Sequence, residues 1–360
     1  MLYHLLYPLK DLFIGFNLFK YITFRTAYAT LTSLLLTFFI APKVIQWARK
    51  KKFGEVIRDD GPKHHHIKKG TPTMGGIMIL LSTLFSVFFW ARFDNAYIWL
   101  FIITTILFGI LGFIDDYIKV VKTKKKGIRM RVKLGGEIII SLIVVLIFYF
   151  LIKFQYNTFL FLPFIKNAVF NLGAFYIIFG VIIMVGASNA VNMTDGLDGL
   201  AIGCSLMTLS AFTVLAYLSS HIKIAQYLMI PHIPQAGELT VFGGALIGAS
   251  LGFLWYNSHP AEIFMGDTGA LTLGGIIGLF AVTLKKEILL LILGGIFVIE
   301  TMSVIIQVVV FKISKKRVFK MAPLHHHFEL KGIPESKIII RFWIIALILT
   351  LIGLSTLKIQ

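Results

Sequence analysis

Four groups of polar residues interrupt the apolar stretches of this 360-residue chain, and their side chains are of kinds that bind cations or phosphates. In chain order they are Asp115-Asp116, the run from Asn189 to Asp198, the segment from Asn257 to Asp267, and His325-His326-His327. The second group follows directly on the apolar stretch 175–185. Because carboxylates at membrane depth are costly, such groups beside apolar spans indicate a functional site.

The adjacent carboxylates Asp115 and Asp116 end an apolar run, where an acidic pair can simply mark the boundary with water. With Lys119 nearby, one of them could instead act as a general base, and the other could face a phosphate or a metal ion. The pair taken alone leaves both interpretations open.

The run from Asn189 to Asp198 is the densest polar stretch. Asn192, Asp195 and Asp198 recur at every third position, so a helical turn there would align them on one face. The same stretch is rich in residues that form turns and cap helices, and a helix beginning there would also favour phosphate binding. Capping and ligand binding are compatible, and this many polar groups favours a binding role.

Asp267 lies among small residues, where the backbone can approach a ligand closely. The chain has one cysteine and no histidine spacing typical of zinc proteases, so its oxygen ligands favour Mg²⁺ over zinc. Phe264 offers a ring that could stack on a planar base, although an aromatic residue at a membrane interface is often only an anchor.

Three successive histidines, His325, His326 and His327, lie in a basic stretch with Lys320 and Lys331. They cannot all face one metal ion from a regular helix, which disfavours a zinc site. Hydrogen bonding to a phosphate, or acid-base assistance, suits them better. The histidine segment therefore favours an anionic ligand.

The composition excludes a soluble globular protein of this length. Hydrophobic residues make up 57% of the chain, charged residues make up 14%, and the mean hydropathy is +0.85. The apolar runs have about the 20 residues that a helix needs to cross a hydrocarbon core, and they lack the alternation of barrel strands. The sequence predicts an all-α polytopic integral membrane protein.

The apolar runs predict ten transmembrane helices in a single membrane domain over residues 1–360, with 1–20 as an interfacial segment. The predicted spans are 21–45, 73–91, 97–114, 134–152, 172–188, 198–218, 239–256, 267–283, 288–311 and 338–357. Five connections contain the polar groups or flank them: 46–72, 115–133, 186–198, 257–267 and 312–337.

The positive charge is distributed unevenly between the two predicted faces. Three connections at one face hold 23 of the 35 Lys and Arg residues, which places that face in the cytoplasm and both termini outside. All four polar groups then lie at the cytoplasmic face, as expected of one shared active-site cleft. Because this topology accounts for the net charge of +18, nucleic acid is not expected as a partner, whereas anionic lipid or an anionic substrate is.

Five sequence motifs occur in the order in which one enzyme family carries them. The chain resembles the phospho-N-acetylmuramoyl-pentapeptide transferase family along nearly its whole length. The motifs are Thr71-Pro-Thr-Met-Gly-Gly76, Gly112-Phe-Ile-Asp115-Asp116-Tyr117, Asn189-Ala-Val-Asn192-Met-Thr-Asp195-Gly-Leu-Asp198-Gly199, Phe264-Met-Gly-Asp267 and Pro323-Leu-His325-His326-His327-Phe-Glu329.

The resemblance implies a Mg²⁺-dependent enzyme of the bacterial cytoplasmic (inner) membrane. It would transfer phospho-MurNAc-pentapeptide from UDP-MurNAc-pentapeptide to undecaprenyl phosphate, giving lipid I and UMP in the first membrane step of peptidoglycan synthesis. The family also implies a homodimer. The alternatives are a related UDP-GlcNAc:polyprenyl-phosphate GlcNAc-1-phosphate transferase and, more remotely, a secondary transporter, whose site would lie near mid-bilayer.

The resemblance also implies roles for individual residues. Asp115 would be the base for the lipid phosphate, Asp116 and His325 would assist catalysis, and Asp267 would bind Mg²⁺. Transfer could be direct or could pass through an aspartyl-phosphate on Asp267, and the sequence leaves both open. Phe264 would stack on uracil, and the implied substrate-binding set is completed by Lys68, Lys119, Lys133, Asn189, Asn192, Asp195, Asp198, Asn257, His326 and His327.

Overall fold

A computed structural model describes residues 1–51, 70–121, 127–152, 155–163 and 169–358. These residues form helices and one small hairpin. The first seven helices are α1 Leu2–Leu6, α2 Ile22–Lys50, α3 Gly76–Trp90, α4 Ala96–Val121, α5 Met130–Leu151, α6 Phe175–Thr194 and α7 Leu200–Ser220. The remaining seven are α8 Ile222–Tyr227, α9 Gly237–Asn257, α10 Gly266–Leu284, α11 Glu287–Leu293, α12 Gly295–Ser314, α13 Leu324–Glu329 and α14 Glu335–Ser355.

Nine helices within the described ranges are long and apolar enough to cross a membrane. This agrees with the predicted all-α polytopic class. The predicted span 73–91 corresponds to α3, which has only 15 residues and therefore a length of about 22 Å. The predicted count of ten is reached only if this shorter helix is included.

The helix ends differ from the predicted span ends in three places that matter for the site. Helix α4 continues beyond Asp116, and α6 continues to Thr194, so polar residues assigned to connections lie on the last turns of helices. The predicted span 288–311 is divided at Gly294 into α11 and α12. Hydropathy marks where a segment is apolar, but a helix can continue into its polar end.

Helix α10 forms the centre of the bundle and is buried from Asp267 to Leu284. Its partners approach closely because glycines stand at the crossings. A Cβ on Gly76 of α3 would lie 2.1 Å from the backbone nitrogen of Gly269, and one on Gly112 of α4 would lie 2.4 Å from the carbonyl oxygen of Asp267. Small residues therefore let α3 and α4 pack directly on the first turn of α10.

The polar residues gather at one end of the bundle because of the order of the helices. Helices α4, α6, α9 and α12 end there, and α3, α5, α7, α10 and α14 begin there. The opposite end carries the antiparallel hairpin of β1 (Phe159–Phe161) and β2 (Val169–Asn171). It also carries a buried, bidentate ion pair in which Arg25 donates to both carboxylate oxygens of Glu238 at 2.6 Å.

Candidate active site

Two buried carboxylates, Asp115 and Asp267, share the ammonium groups of two lysines. The Nζ atom of Lys119 lies 2.9 Å from Oδ2 of Asp115 and 2.7 Å from Oδ2 of Asp267. The Nζ atom of Lys133 lies 3.5 Å and 2.6 Å from the same two oxygens. The cluster thus brings together residues from α4, α5 and α10 that are up to 152 positions apart in the chain.

Local structure explains how Asp115 and Lys119 come to face the same point. They are four residues apart on α4, and side chains at that spacing lie on one face of a helix. The backbone N–H of Ile128, just before α5, donates to Oδ1 of Asp115 at 2.6 Å. Because this hydrogen bond engages Oδ1, Oδ2 is the carboxylate oxygen that faces the lysines.

Asp116 points elsewhere and caps the first turn of α10. Its Oδ1 accepts from the backbone N–H of Asp267 at 2.9 Å, and its Oδ2 accepts from the backbone N–H and the hydroxyl of Thr268 at 2.9 and 2.6 Å. A carboxylate at a helix N-terminus satisfies N–H groups that lack partners within the helix and complements the helix dipole. Asp116 therefore fixes the helix that carries Asp267.

Asn192 joins the cluster from the last turn of α6. With its amide nitrogen turned towards Asp267, it donates to Oδ1 at 3.0 Å, and its amide oxygen accepts from Lys133 at 2.9 Å. The ammonium groups of Lys119 and Lys133 lie where the carboxylate oxygens of Asp115 and Asp267 converge, so this position already holds positive charge. Carboxylate and amide oxygens are ligands that suit Mg²⁺, so the donor set fits the predicted ion.

Asn189 lies one turn earlier on α6 and contacts a residue that the motifs did not include. Its amide donates to Glu137 of α5 and to the carbonyl oxygen of Val185, the latter at 3.0 Å. Glu137 is fully buried. A single glutamate in an apolar helix gave no spacing signal, although its cost inside a span could have marked it.

The segment before α10 is held by backbone pairing with the motif that precedes α3. The N–H of Phe264 donates to the carbonyl oxygen of Pro72, and the N–H groups of Gly75 and Gly76 donate to the carbonyls of Phe264 and Met265, each at 2.8 Å. The Thr71–Gly76 motif thus supports the loop that leads to Asp267. The ring of Phe264 is half-buried.

Asn257 links two connections from the end of α9. Its side-chain oxygen accepts from the N–H of Gly199 at 3.0 Å, and its nitrogen donates to the carbonyl of Ile263 at 2.9 Å. Only 3% of Asn257 is exposed. Its hydrogen bonds therefore hold the start of α7 against the loop that carries Phe264.

Asp195 and Asp198 do not continue the helical face that their spacing predicted, because α6 ends at Thr194. Asp195 is the half-buried residue that caps the end of α6. Asp198 accepts from the backbone N–H of Ala261 at 3.1 Å and lies 3.2 Å from Nδ1 of His259. Asp198, His259 and Glu335 form a group whose possible metal-ligand atoms lie within 4.8 Å of one another. The carboxylates of Asp198 and Glu335 already accept hydrogen bonds from the backbone. Asp198 accepts from the N–H of Ala261, and Glu335 accepts from the N–H of Asp198.

The three histidines have three different surroundings. Nδ1 of His325 lies 3.2 Å from Oε2 of Glu300 on α12, and both side chains are buried. Nδ1 of His326 lies 2.6 Å from Oε2 of Glu329 within the same short helix, α13. Glu300, like Glu137, was missed because it is a single acidic residue in an apolar span.

His327 lies near the two lysines that the sequence grouped with it. Its Nδ1 accepts from the backbone N–H of Lys320 at 3.0 Å. Partial burial, followed by the charges of Lys331 and Lys320, lowers the pKa of His327 below its ordinary value. The lowered pKa favours the neutral ring, in keeping with its role as an acceptor.

The predicted site residues are thus distributed over neighbouring parts of one end of the bundle. Asp115, Lys119, Lys133, Asn192 and Asp267 form a single cluster. Phe264, Asp195 and Asp198 lie in the adjoining connections, Asn257 ends α9, and His325 to His327 lie on α13. Lys68 falls outside the described residues.

Comparison with known proteins agrees with the arrangement of these motifs. The family model described as glycosyl transferase family 4 matches residues 98–285, and the phospho-N-acetylmuramoyl-pentapeptide-transferase signature 1 matches residues 68–80. Similar proteins from Thermodesulfovibrio yellowstonii, Syntrophus aciditrophicus and Desulforapulum autotrophicum are 53%, 50% and 53% identical to this chain. Each carries the name phospho-N-acetylmuramoyl-pentapeptide-transferase, and each alignment covers 100% of both chains.

Proposed function

Because the chain belongs to the phospho-N-acetylmuramoyl-pentapeptide-transferase family, we propose that it transfers phospho-MurNAc-pentapeptide from UDP-MurNAc-pentapeptide to undecaprenyl phosphate. An oxygen of the lipid phosphate forms a bond to the phosphorus that carries the sugar. The bond from that phosphorus to the UMP oxygen breaks, so the products are lipid I and UMP. This is the first membrane step of peptidoglycan synthesis.

The observation that carries this proposal is the sharing of Lys119 and Lys133 by Asp115 and Asp267. Both substrates are anionic, so bringing them together costs repulsion that two ammonium groups offset. Phosphoryl transfer depends mostly on positioning and on stabilising charge, and a rigid cluster of opposite charges supplies both. In this arrangement Asp115 takes the remaining proton of the lipid phosphate.

Asp267 is the residue that would hold Mg²⁺. A bound Mg²⁺ would stabilise negative charge on the diphosphate. The residues of the chain itself hold that position in place: Asp116 fixes the first turn of α10, and Asn192 orients the carboxylate of Asp267. The lysines then screen the two carboxylates from each other.

The nucleotide-sugar would bind along the connections that flank this cluster. Phe264 would stack on uracil, while Asn189, Asp195, Asp198, Lys68 and the three histidines would surround the phosphates and the sugar. Asn257 would act indirectly, because its side chain joins two of these connections. The lipid acceptor would approach from the bilayer.

The placement in the membrane follows from charge. We propose a single membrane domain of ten transmembrane helices, counting α3, with both termini outside and the site facing the cytoplasm. The excess of Lys and Arg in the connections at the site end supports this orientation. The membrane is the bacterial cytoplasmic (inner) membrane, and the functional unit is a homodimer.

The test uses purified protein in detergent with undecaprenyl phosphate, Mg²⁺ and either UDP-MurNAc-pentapeptide or UDP-GlcNAc. UMP should appear with the first donor alone, and Asp267→Asn should lower its release more than a hundredfold across a Mg²⁺ titration, on the order of the loss of one charge-stabilising group. Release from UDP-GlcNAc would instead support the GlcNAc-1-phosphate transferase. Absence of turnover without a sealed compartment would favour a transporter.

A further inference from the structure

A buried glutamate on α12, Glu300, lies beside His325 in the interior of the molecule. Glu300 is fully buried, His325 is 1% exposed, and Oε2 of the glutamate lies 3.2 Å from Nδ1 of the ring. An acidic residue inside a membrane span is costly and usually has a functional reason. The motifs give Glu300 no role.

The contact determines which ring nitrogen of His325 carries a proton. A carboxylate only accepts hydrogen bonds, so Nδ1–H donates to Glu300, and Nε2 remains for another partner. Nε2 is buried and has no hydrogen-bond partner among the residues that the structure describes. Because buried polar atoms are nearly always paired, this unpaired nitrogen points to a ligand.

The surroundings of Nε2 place it against the turn that contains Gly196. A Cβ on Gly196 would come within 2.2 Å of Nε2, and its next contact would be another atom of the same ring. Gly196 does not have the positive φ for which glycine is often needed. Glycine is therefore needed here for close approach, and the ring faces the turn that follows Asp195.

We propose that Glu300 is a positioning residue that holds His325 so that Nε2 contacts a polar group of the nucleotide-sugar donor at this turn. This inference rests on the proposed transfer reaction, since the turn belongs to the polar run assigned to the donor. Glu300 itself does not touch the substrate. Its role is to fix the tautomer and the direction of the ring, as carboxylates beside functional histidines do.

The experiment compares three variants with the wild-type protein in the UMP-release assay, alongside donor affinity and thermal unfolding in detergent. Glu300→Gln should lower kcat/KM for the donor by roughly 10-fold to 100-fold, the usual loss when a carboxylate that orients a histidine is removed. The amide can donate to Nδ1 and so favour the wrong tautomer. Glu300→Asp keeps an acceptor and should recover much of the activity, and KM for the lipid should change little in either variant.

The matched control is Glu287→Gln, the same chemical change at an equally buried carboxylate at the other end of the bundle. Glu287 lies 3.3 Å from the Nζ atom of Lys285. This control should lower the unfolding temperature and leave kcat/KM of the folded protein unchanged. A similar loss of kcat/KM in Glu287→Gln and Glu300→Gln would show that Glu300 acts only through stability, which overturns the inference.

A double-mutant cycle on donor affinity tests the link to His325. In a His325→Ala background, Glu300→Gln should change donor affinity by about twofold or less, because its effect is transmitted through the missing ring. A full additional loss would overturn the positioning role. Wild-type turnover separates the two proposals: without UMP release the transfer reaction itself fails, whereas normal release with a fully active Glu300→Gln rejects only the inference.

Discussion

Asp115 and Asp116 are neighbours in the chain, but their side chains have different partners. Successive residues on a helix point in directions about 100° apart, so one carboxylate faces the lysines and the other faces the start of α10. Asp115 belongs to the charged cluster, whereas Asp116 binds N–H groups of Asp267 and Thr268. Substitution of each residue should therefore produce a different defect.

Asp116→Asn should reduce stability as well as turnover. The amide can replace only one of the two accepting oxygens, and its NH₂ group would face the donors of Thr268. The expected loss of unfolding free energy is about 1–3 kcal/mol, the range for a buried donor left without its partner. Thermal unfolding in detergent measures it. Unchanged stability would contradict the capping role, and raising the pH should not restore turnover.

Asp115→Asn should lower kcat at neutral pH while leaving binding of the nucleotide-sugar intact. If Asp115 takes the proton of the lipid phosphate, the defect should shrink at high pH, because a comparable phosphate monoester loses its second proton near a pKa of about 6. Initial rates between roughly pH 6 and 9 measure this effect. Parallel profiles for the Asp115 and Asp116 variants would reject the base assignment.

The sequence predicted which residues gather at the site better than it predicted what each side chain contacts. The order of the apolar spans placed Asp115 and Asp267 at one end of the bundle, and α4 and α10 bring them together there. The direction of Asp116 and the partners Glu137 and Glu300 were not predictable in this way. They depend on how neighbouring helices are rotated, and hydropathy carries little information about rotation when a helix is apolar on all sides.

At the level of helices, the first turn of α10 depends on close packing by α3. Gly76→Ala should lower stability by about 1–3 kcal/mol, because the added methyl group would meet backbone atoms of Gly269 that cannot easily move. Gly135→Ala on α5 is the matched control, since a Cβ there would have no neighbour within 4 Å. Thermal unfolding of both variants measures the difference.

The control variant should be neutral or slightly more stable, because alanine favours a helix over glycine by about 0.5–1 kcal/mol. Equal effects at the two positions would show that close packing at Gly76 does not matter. Turnover should fall with stability only in Gly76→Ala, because α10 carries Asp267. The comparison thus separates packing from helix propensity.

The positions of the long helices were predictable because each apolar run is about as long as a bilayer is thick. The break at Gly294 and the extension of α6 to Thr194 were not predictable in the same way. A glycine within an apolar run can be tolerated in a helix or can end one, and packing decides between the two. Asn192 reaches Asp267 because α6 continues past its apolar part.

For the whole molecule, the orientation in the membrane can be tested with single cysteines in a Cys204→Ala background, where the native thiol is buried. An impermeant thiol reagent added to intact cells should label Gln155→Cys, which lies at the hairpin end and is exposed. Lys331→Cys, exposed at the site end, should react only after the cells are permeabilised. Labelling of Lys331→Cys in intact cells would reverse the assigned orientation.

The short helix α3 bears on how deep the proposed site would lie in a bilayer. Its far end, at Trp90, stacks among aromatic rings of the kind found at membrane interfaces, and its length of about 22 Å is less than the roughly 30 Å of hydrocarbon. The backbone N–H of Gly76 donates to the carbonyl oxygen of Met265, so the start of α10 lies at the same level as the start of α3. We expect the adjoining leaflet to thin around this hydrophobic mismatch. In the proposed reaction, the phosphate of the lipid acceptor would then reach the carboxylates while its isoprenoid tail stays among the acyl chains.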